Sequence, residues 1–136
     1  MTPYHFSVTL HESFDSAVTK TKEALADHGF GIVSEIDMAA TIKDKLGIDH
    51  EPYLILGACN PGFVNAAVSR EPSIGVLLPC NVVVRSANGD GVVVDFMDPA
   101  VVLELVGENG IHDIADEVRT RLEMTRDAIA TAQIPA

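Results

Sequence analysis

The sequence predicts a single two-layer α+β domain: a mostly antiparallel, curved sheet with two long helices on one face, in the order strand, helix, four strands, helix. Three observations carry that prediction. A strand-period segment opens the chain at Tyr4 to Leu10, a hairpin pattern lies between Val-rich runs at Ala87-Asn88-Gly89-Asp90-Gly91, and helix-period stripes fill 14–28 and 111–129. The 136 residues are one domain's worth of chain, so 1–136 is read as one unit, able to bury a core without disulfides or a structural metal.

In the first strand Tyr4, Phe6, Val8 and Leu10 share one face, while His5, Ser7 and Thr9 share the other, wet face. Ser13 is an N-cap for a helix in which Phe14, Ala17, Val18, Thr21, Ala24, Leu25 and His28 recur at helical spacing, and Gly29 ends it. A second strand follows from Phe30 to Ile36. Asp37 caps a short helix with Met38, Ala39, Ile42 and Leu46 on one face, and Gly47 stops it. The loop 48–52 leads to a third strand, Tyr53 to Ala58. Its lack of alternation predicts a central strand buried on both faces.

Asn60-Pro61 is a helix start, because Asn caps and Pro at the first helical position loses only an unpaired N–H. Phe63, Val64, Ala67 and Val68 form the face of that helix, which ends before Glu71-Pro72. Ile74 to Leu78 reads as extended, Pro79 interrupts it, and Asn81 to Arg85 resumes as strand four. After the hairpin, strand five runs from Val92 to Phe96. Asp98-Pro99 starts another short helix through Val101, Val102, Leu105 and Val106. Gly107 to Gly110 reads as a loop, and residues 131–136 are expected to fray after the last and longest helix.

Twenty acidic residues against nine basic ones give a net charge of −11, and the basic residues form no stripe. Such a surface repels phosphate backbones and anionic lipid, so neither nucleic acid nor a membrane is an expected partner. No apolar run approaches the roughly 20 residues of a membrane-spanning helix, and no basic-then-apolar leader precedes His5-Phe6-Ser7-Val8, which predicts a cytoplasmic protein. Two cysteines in a reducing compartment are expected as thiols. With no Trp, the core is aliphatic.

Both cysteines lie between Tyr53 and Val84, in Gly57-Ala58-Cys59-Asn60-Pro61 and in Leu77-Leu78-Pro79-Cys80-Asn81-Val82-Val83-Val84. With the later Asp98-Pro99 and the spacing of strands and helices over nearly the whole chain, these segments resemble the uncharacterised prokaryotic family called domain of unknown function 302. The resemblance implies a fold similar to the TATA-box-binding-protein type and a homodimer. It implies no activity, and it does not carry DNA binding, which belongs to a different, basic surface.

The candidate binding residues are Cys59, Asn60, Cys80 and Asn81, with Cys59 placed just before a helix cap, where amide groups and the helix dipole favour thiolate. Cys59 and Cys80 with His50 are the candidate metal ligands, with Asp49 or Glu51 as alternatives to His50. Their spacing matches no metal motif, and free cysteine is also a common small hydrophobe. A thiol-dependent enzyme or redox protein would use Cys59, with His50 or His5 as its base. Asn60 and Asn81 also read as cap and turn residues. Two carboxylate pairs, Glu35 with Asp37 and Asp95 with Asp98, could approach one another in a cleft, although a solvated edge is the favoured reading. The leading functional reading is a small non-enzymatic ligand- or metal-binding or sensing module, ahead of the thiol enzyme and of a structural dimer; its cofactor and ligand are not specified by any motif.

Overall fold

In a computed structural model the described residues are 3–87, 89 and 91–132. Five strands, β1 (His5–Leu10), β2 (Gly31–Asp37), β3 (Tyr53–Cys59), β4 (Cys80–Ser86) and β5 (Val92–Met97), form one sheet in the order β1-β5-β4-β3-β2. Every neighbouring pair is antiparallel. The helices are α1 (Phe14–Asp27), α2 (Met38–Leu46), α3 (Pro61–Arg70), α4 (Pro99–Val102) and α5 (Asn109–Thr131), with 3-10 turns at Pro72–Leu77 and Leu103–Leu105. None is long and apolar enough to cross a membrane among the described residues.

The strand period divides the sheet into two unlike faces. Phe6 pairs with Phe96, Val8 with Val94, Val82 with Phe96, Val84 with Val94 and Leu56 with Val82, so these side chains share one face. There they pack with Ala17, Ala24 and Leu25 of α1 and Val118, Leu122 and Ile129 of α5. Fully burying an aliphatic or Phe side chain contributes roughly 1.5–3 kcal/mol, so this row fixes which face the helices cover. A second cluster under α3 joins Ala67 and Ile74 to Leu103, Ile111 and Ala115.

The caps fall where the sequence places them. Ser13 accepts the amide of Ser16 at 3.1 Å, Asp37 that of Ala40 at 2.9 Å, Asn60 that of Phe63 at 3.1 Å and Asp98 that of Ala100 at 3.0 Å. Gly29 and Gly47 close α1 and α2 with positive φ. The hairpin joins β4 to β5 in register, although Asn88 and Asp90 of its predicted turn lie outside the described residues.

Four expectations need adjustment. Residues 72–77 form a 3-10 turn and not an extended segment: Pro72 stands at its start and Ile74 donates back to the Glu71 carbonyl, which drops Ile74 into the second core. The last helix begins at Asn109, inside the predicted loop, because the Glu108 carboxylate caps it by accepting the Gly110 amide at 2.9 Å. It continues through Thr131, the first residue of the stretch 131–136 expected to fray, of which 133–136 lie outside the described residues. Finally, the central strand is β4, and full burial of β3 is confined to Leu56–Ala58: Tyr53 turns to the open sheet face, and Leu54 is only partly buried against the core.

Gly57 marks where that uncovered face is locally closed. A Cβ there would collide with the Ser34 side chain on β2 and the Pro79 ring before β4. Gly57→Ala is therefore expected to destabilise the fold by about 1–3 kcal/mol, read as a lower urea midpoint at constant slope. An unchanged midpoint would mean that Ser34 and Pro79 do not close this space.

Candidate functional site

Cys59, Asn60 and Cys80 line one small cavity, without a disulfide between the cysteines. Ala58 on β3 pairs with Cys80 on β4, which brings the end of one strand beside the start of the next. All three residues line a cavity of about 30 Å³, otherwise walled by apolar side chains that include Phe30, Phe63, Leu78, Ile114 and Val118. That volume holds about one water molecule, so the space is a packing gap on the scale of a single solvent molecule. Asn60 is committed on both sides of its amide: Oδ1 caps α3, and Nδ2 donates to the Gly29 carbonyl at 3.0 Å. It ties the start of α3 to the turn after α1.

Both cysteines are free thiols. Cys80 belongs to the main core, where burial pushes its thiol up to about 12, and charge on Cys59 acts in the same direction. At neutral pH it is a packing group and not a nucleophile.

The other candidates are elsewhere. Asn81 follows Cys80 in the same strand, so its side chain lies on the opposite face of the sheet. His50 precedes β3, whereas Cys59 ends it, and seven residues of strand separate them by about 20 Å. The His50 ring stands against the Glu51 carbonyl at 2.7 Å and edge-on to Tyr53. Cys59, Cys80 and His50 are thus not assembled as a ligand set, and among the described residues no three His, Cys, Asp or Glu side chains are placed to hold a metal ion. His5 is three strands away from Cys59 across the sheet, too far to serve as its base. The carboxylate pairs are also divided. Glu35 meets Lys22 at 2.7 Å and Asp37 caps α2, while Asp98 caps α4 and meets Arg119 at 3.1 Å, leaving Asp95 on the other face.

Asp95 is the centre of a polar network that local spacing does not reveal. Cross-strand pairing sets Ser7 of β1 opposite Asp95 of β5, and Val83 of β4 opposite it on the other side. The Ser7 hydroxyl donates to Asp95 Oδ1, and Arg85 Nε donates to Asp95 Oδ2 at 2.7 Å. His5 Nδ1 lies 3.3 Å from Ser7 Oγ and 3.8 Å from Asp95 Oδ1. The hydrogen bond to Asp95 raises the Arg85 guanidinium above its ordinary value, against a smaller opposing effect of burial. Arg85 is a fixed cation.

This network sits in a groove of about 580 Å³ on the sheet face away from α1 and α5. Val83 and Met97 are its apolar lining; Tyr4, His5, Tyr53 and Asn81 line it beside Arg85 and Asp95. The arrangement is not that of a nucleophilic triad. There the imidazole stands between hydroxyl and carboxylate, but here the Ser7 hydroxyl stands between the imidazole and Asp95. One signal could have found the network: charged Arg85 and Asp95 interrupt Val-rich strands on either side of the hairpin, and counting outward from its turn places them diagonally opposite.

Two measurements check these assignments. Because the folded protein holds the Cys80 proton beyond the pH at which an unfolded thiol loses it, stability contributed by Cys80 falls as pH rises from about 9 towards 12, by about 1.4 kcal/mol per pH unit. Cys80→Ala should remove that component of the alkaline loss, and equal slopes for the two proteins would contradict it. Asn60→Ala, which deletes both a cap and the link to Gly29, should cost about 1–2 kcal/mol in denaturant unfolding; a loss within error would make the link incidental.

The family model described as Domain of unknown function DUF302 matches residues 6–129. The crystal structure of an uncharacterized conserved DUF302 protein from Bacillus stearothermophilus is similar with a TM-score of 0.87 and 23% sequence identity, over 94% of this chain and 99% of that one. At that identity the likeness speaks for the fold. No curated protein matches the sequence. With the family match running from β1 almost to the end of α5, the chain belongs to the DUF302 family.

Proposed function

We propose that the protein is a small non-enzymatic binding module that takes a small organic molecule on the open face of its sheet, as one half of a homodimer. The observation that carries the reading is the groove of about 580 Å³, a volume in the range of small-molecule sites, in which aromatic, apolar and hydrogen-bonding side chains converge. The cavity at Cys59, Asn60 and Cys80 supports binding less well, since about 30 Å³ leaves no room for an organic ligand. For a thiol-dependent reaction at Cys59, the two bases expected from the sequence, His5 and His50, are both remote from it.

Support for the homodimer comes from the other end of the sheet. β2 is an edge strand with Val33 and Ile36 exposed, and no residue of the following α2 is buried. Leu46 and Ile48, at the end of the same segment, are exposed as well. An uncovered strand edge with apolar side chains is a template for pairing with a second copy.

Amide shift mapping against a library of small organic fragments should give saturable shifts on β1, β4 and β5 at groove positions. Shifts confined to the Cys59 and Cys80 cavity, or none at all, would refute the groove as the site. Light scattering should give twice the chain mass for the wild type and the single mass for a Val33→Lys, Ile36→Lys variant; a wild-type monomer at high concentration would refute the dimer.

A further inference from the structure

We infer that the groove selects a flat, apolar-bodied monocarboxylate, an aromatic carboxylate in the simplest case, and that Arg85 is the residue that receives its charge. This rests on the groove being a binding site and goes on to say what it binds.

Asp95 and Arg85 are not equally available to a ligand. The Asp95 side chain is 16% exposed, and its two oxygens already accept from Ser7 and from Arg85 Nε. Arg85 is 38% exposed and meets Asp95 through Nε, so the two terminal amino groups take no part in that bond. Holding the guanidinium side-on fixes its plane and leaves the outer edge, whose paired N–H groups match the two oxygens of a carboxylate. The groove therefore presents to its occupant the donor edge of an ion-paired guanidinium, beside a carboxylate whose two oxygens are already engaged.

The charge count narrows the ligand further. Among the described residues lining the groove, Arg85 is the only Lys or Arg and Asp95 the only Asp or Glu, and the chain carries a net −11. With Asp95 the pair is neutral, so a monocarboxylate leaves the groove one negative charge in excess, whereas a dianionic phosphate group would leave two in an acidic field. Beside Arg85 the lining turns apolar at Val83 and Met97, with the Tyr53 ring and the exposed Tyr4 ring also in the groove. Flat aromatic bodies gain from such surfaces through contact area and ring packing.

The test is a titration with benzoate, its neutral analogue benzamide and the cation benzylamine, followed by the shifts of the Met97 methyl and the Tyr53 ring. Benzoate should saturate these signals with an affinity at least tenfold above the other two. Arg85→Gln should abolish that preference, and Arg85→Lys, which keeps the charge but loses the planar fork, should retain only part of it. Unchanged core methyl shifts in each variant establish that it is folded; the wild-type comparison decides the matter even if a variant is not. Benzamide or benzylamine binding in the groove as tightly as benzoate would overturn the carboxylate preference and leave the binding site standing. No shift at Met97 or Tyr53 with any of the three, up to about 20 mM, would overturn both.

Discussion

The strict alternation of β1, β4 and β5 is the constraint on which the rest of the molecule depends. A strand turns successive side chains to opposite faces, so once Phe6, Val8 and Leu10 are committed to the helices, His5, Ser7 and Thr9 are committed away from them. The same holds for Val82 and Val84 against Asn81 and Arg85, and for Val94 and Phe96 against Asp95 and Met97. A register slip of one residue in β5 would bring Asp95 into the aliphatic core, where an isolated carboxylate costs far more than any nearby contact returns. Burial of the aliphatic row by α1 and α5 thus assembles the polar network on the far face, from residues nearly ninety positions apart.

The cysteine segments are explained by the same architecture in a different way. They are the places where the chain leaves and re-enters the sheet. Asn60 turns β3 into α3 and holds the Gly29 carbonyl, Pro79 closes the space over Gly57, and Cys80 starts β4 as a core side chain. Their conspicuous sequence pattern follows from those local demands for a cap, a turn and a small apolar group. The groove residues have no such pattern because their roles are shared across strands.

That difference decides what was legible in the sequence. The caps at Ser13, Asp37, Asn60 and Asp98, the amphipathic faces of α1 and α5, and the wet face of β1 all follow from interactions within a few residues, and each could be read directly. The 3-10 turn at 72–77 was not, since a short apolar run has the same composition whether it is extended or wound onto a core. The contact of Ser7 and Arg85 with Asp95 needs the order of β1, β5 and β4, which composition does not give. His50 illustrates the converse: close to the cysteines in number, it is a strand's length from Cys59 in space.

The central claim is that the helix-free face, and not the cysteine cavity, is the working surface, with Arg85 at its focus. A crystal structure of the protein grown with benzoate tests it most directly. The account predicts the carboxylate against the terminal amino groups of Arg85, with the ring over Val83 and Met97 and the Asp95 contacts intact. Benzoate seated beside Cys59 and Cys80, or a groove filled by the protein's own chain and closed to it, would contradict the account.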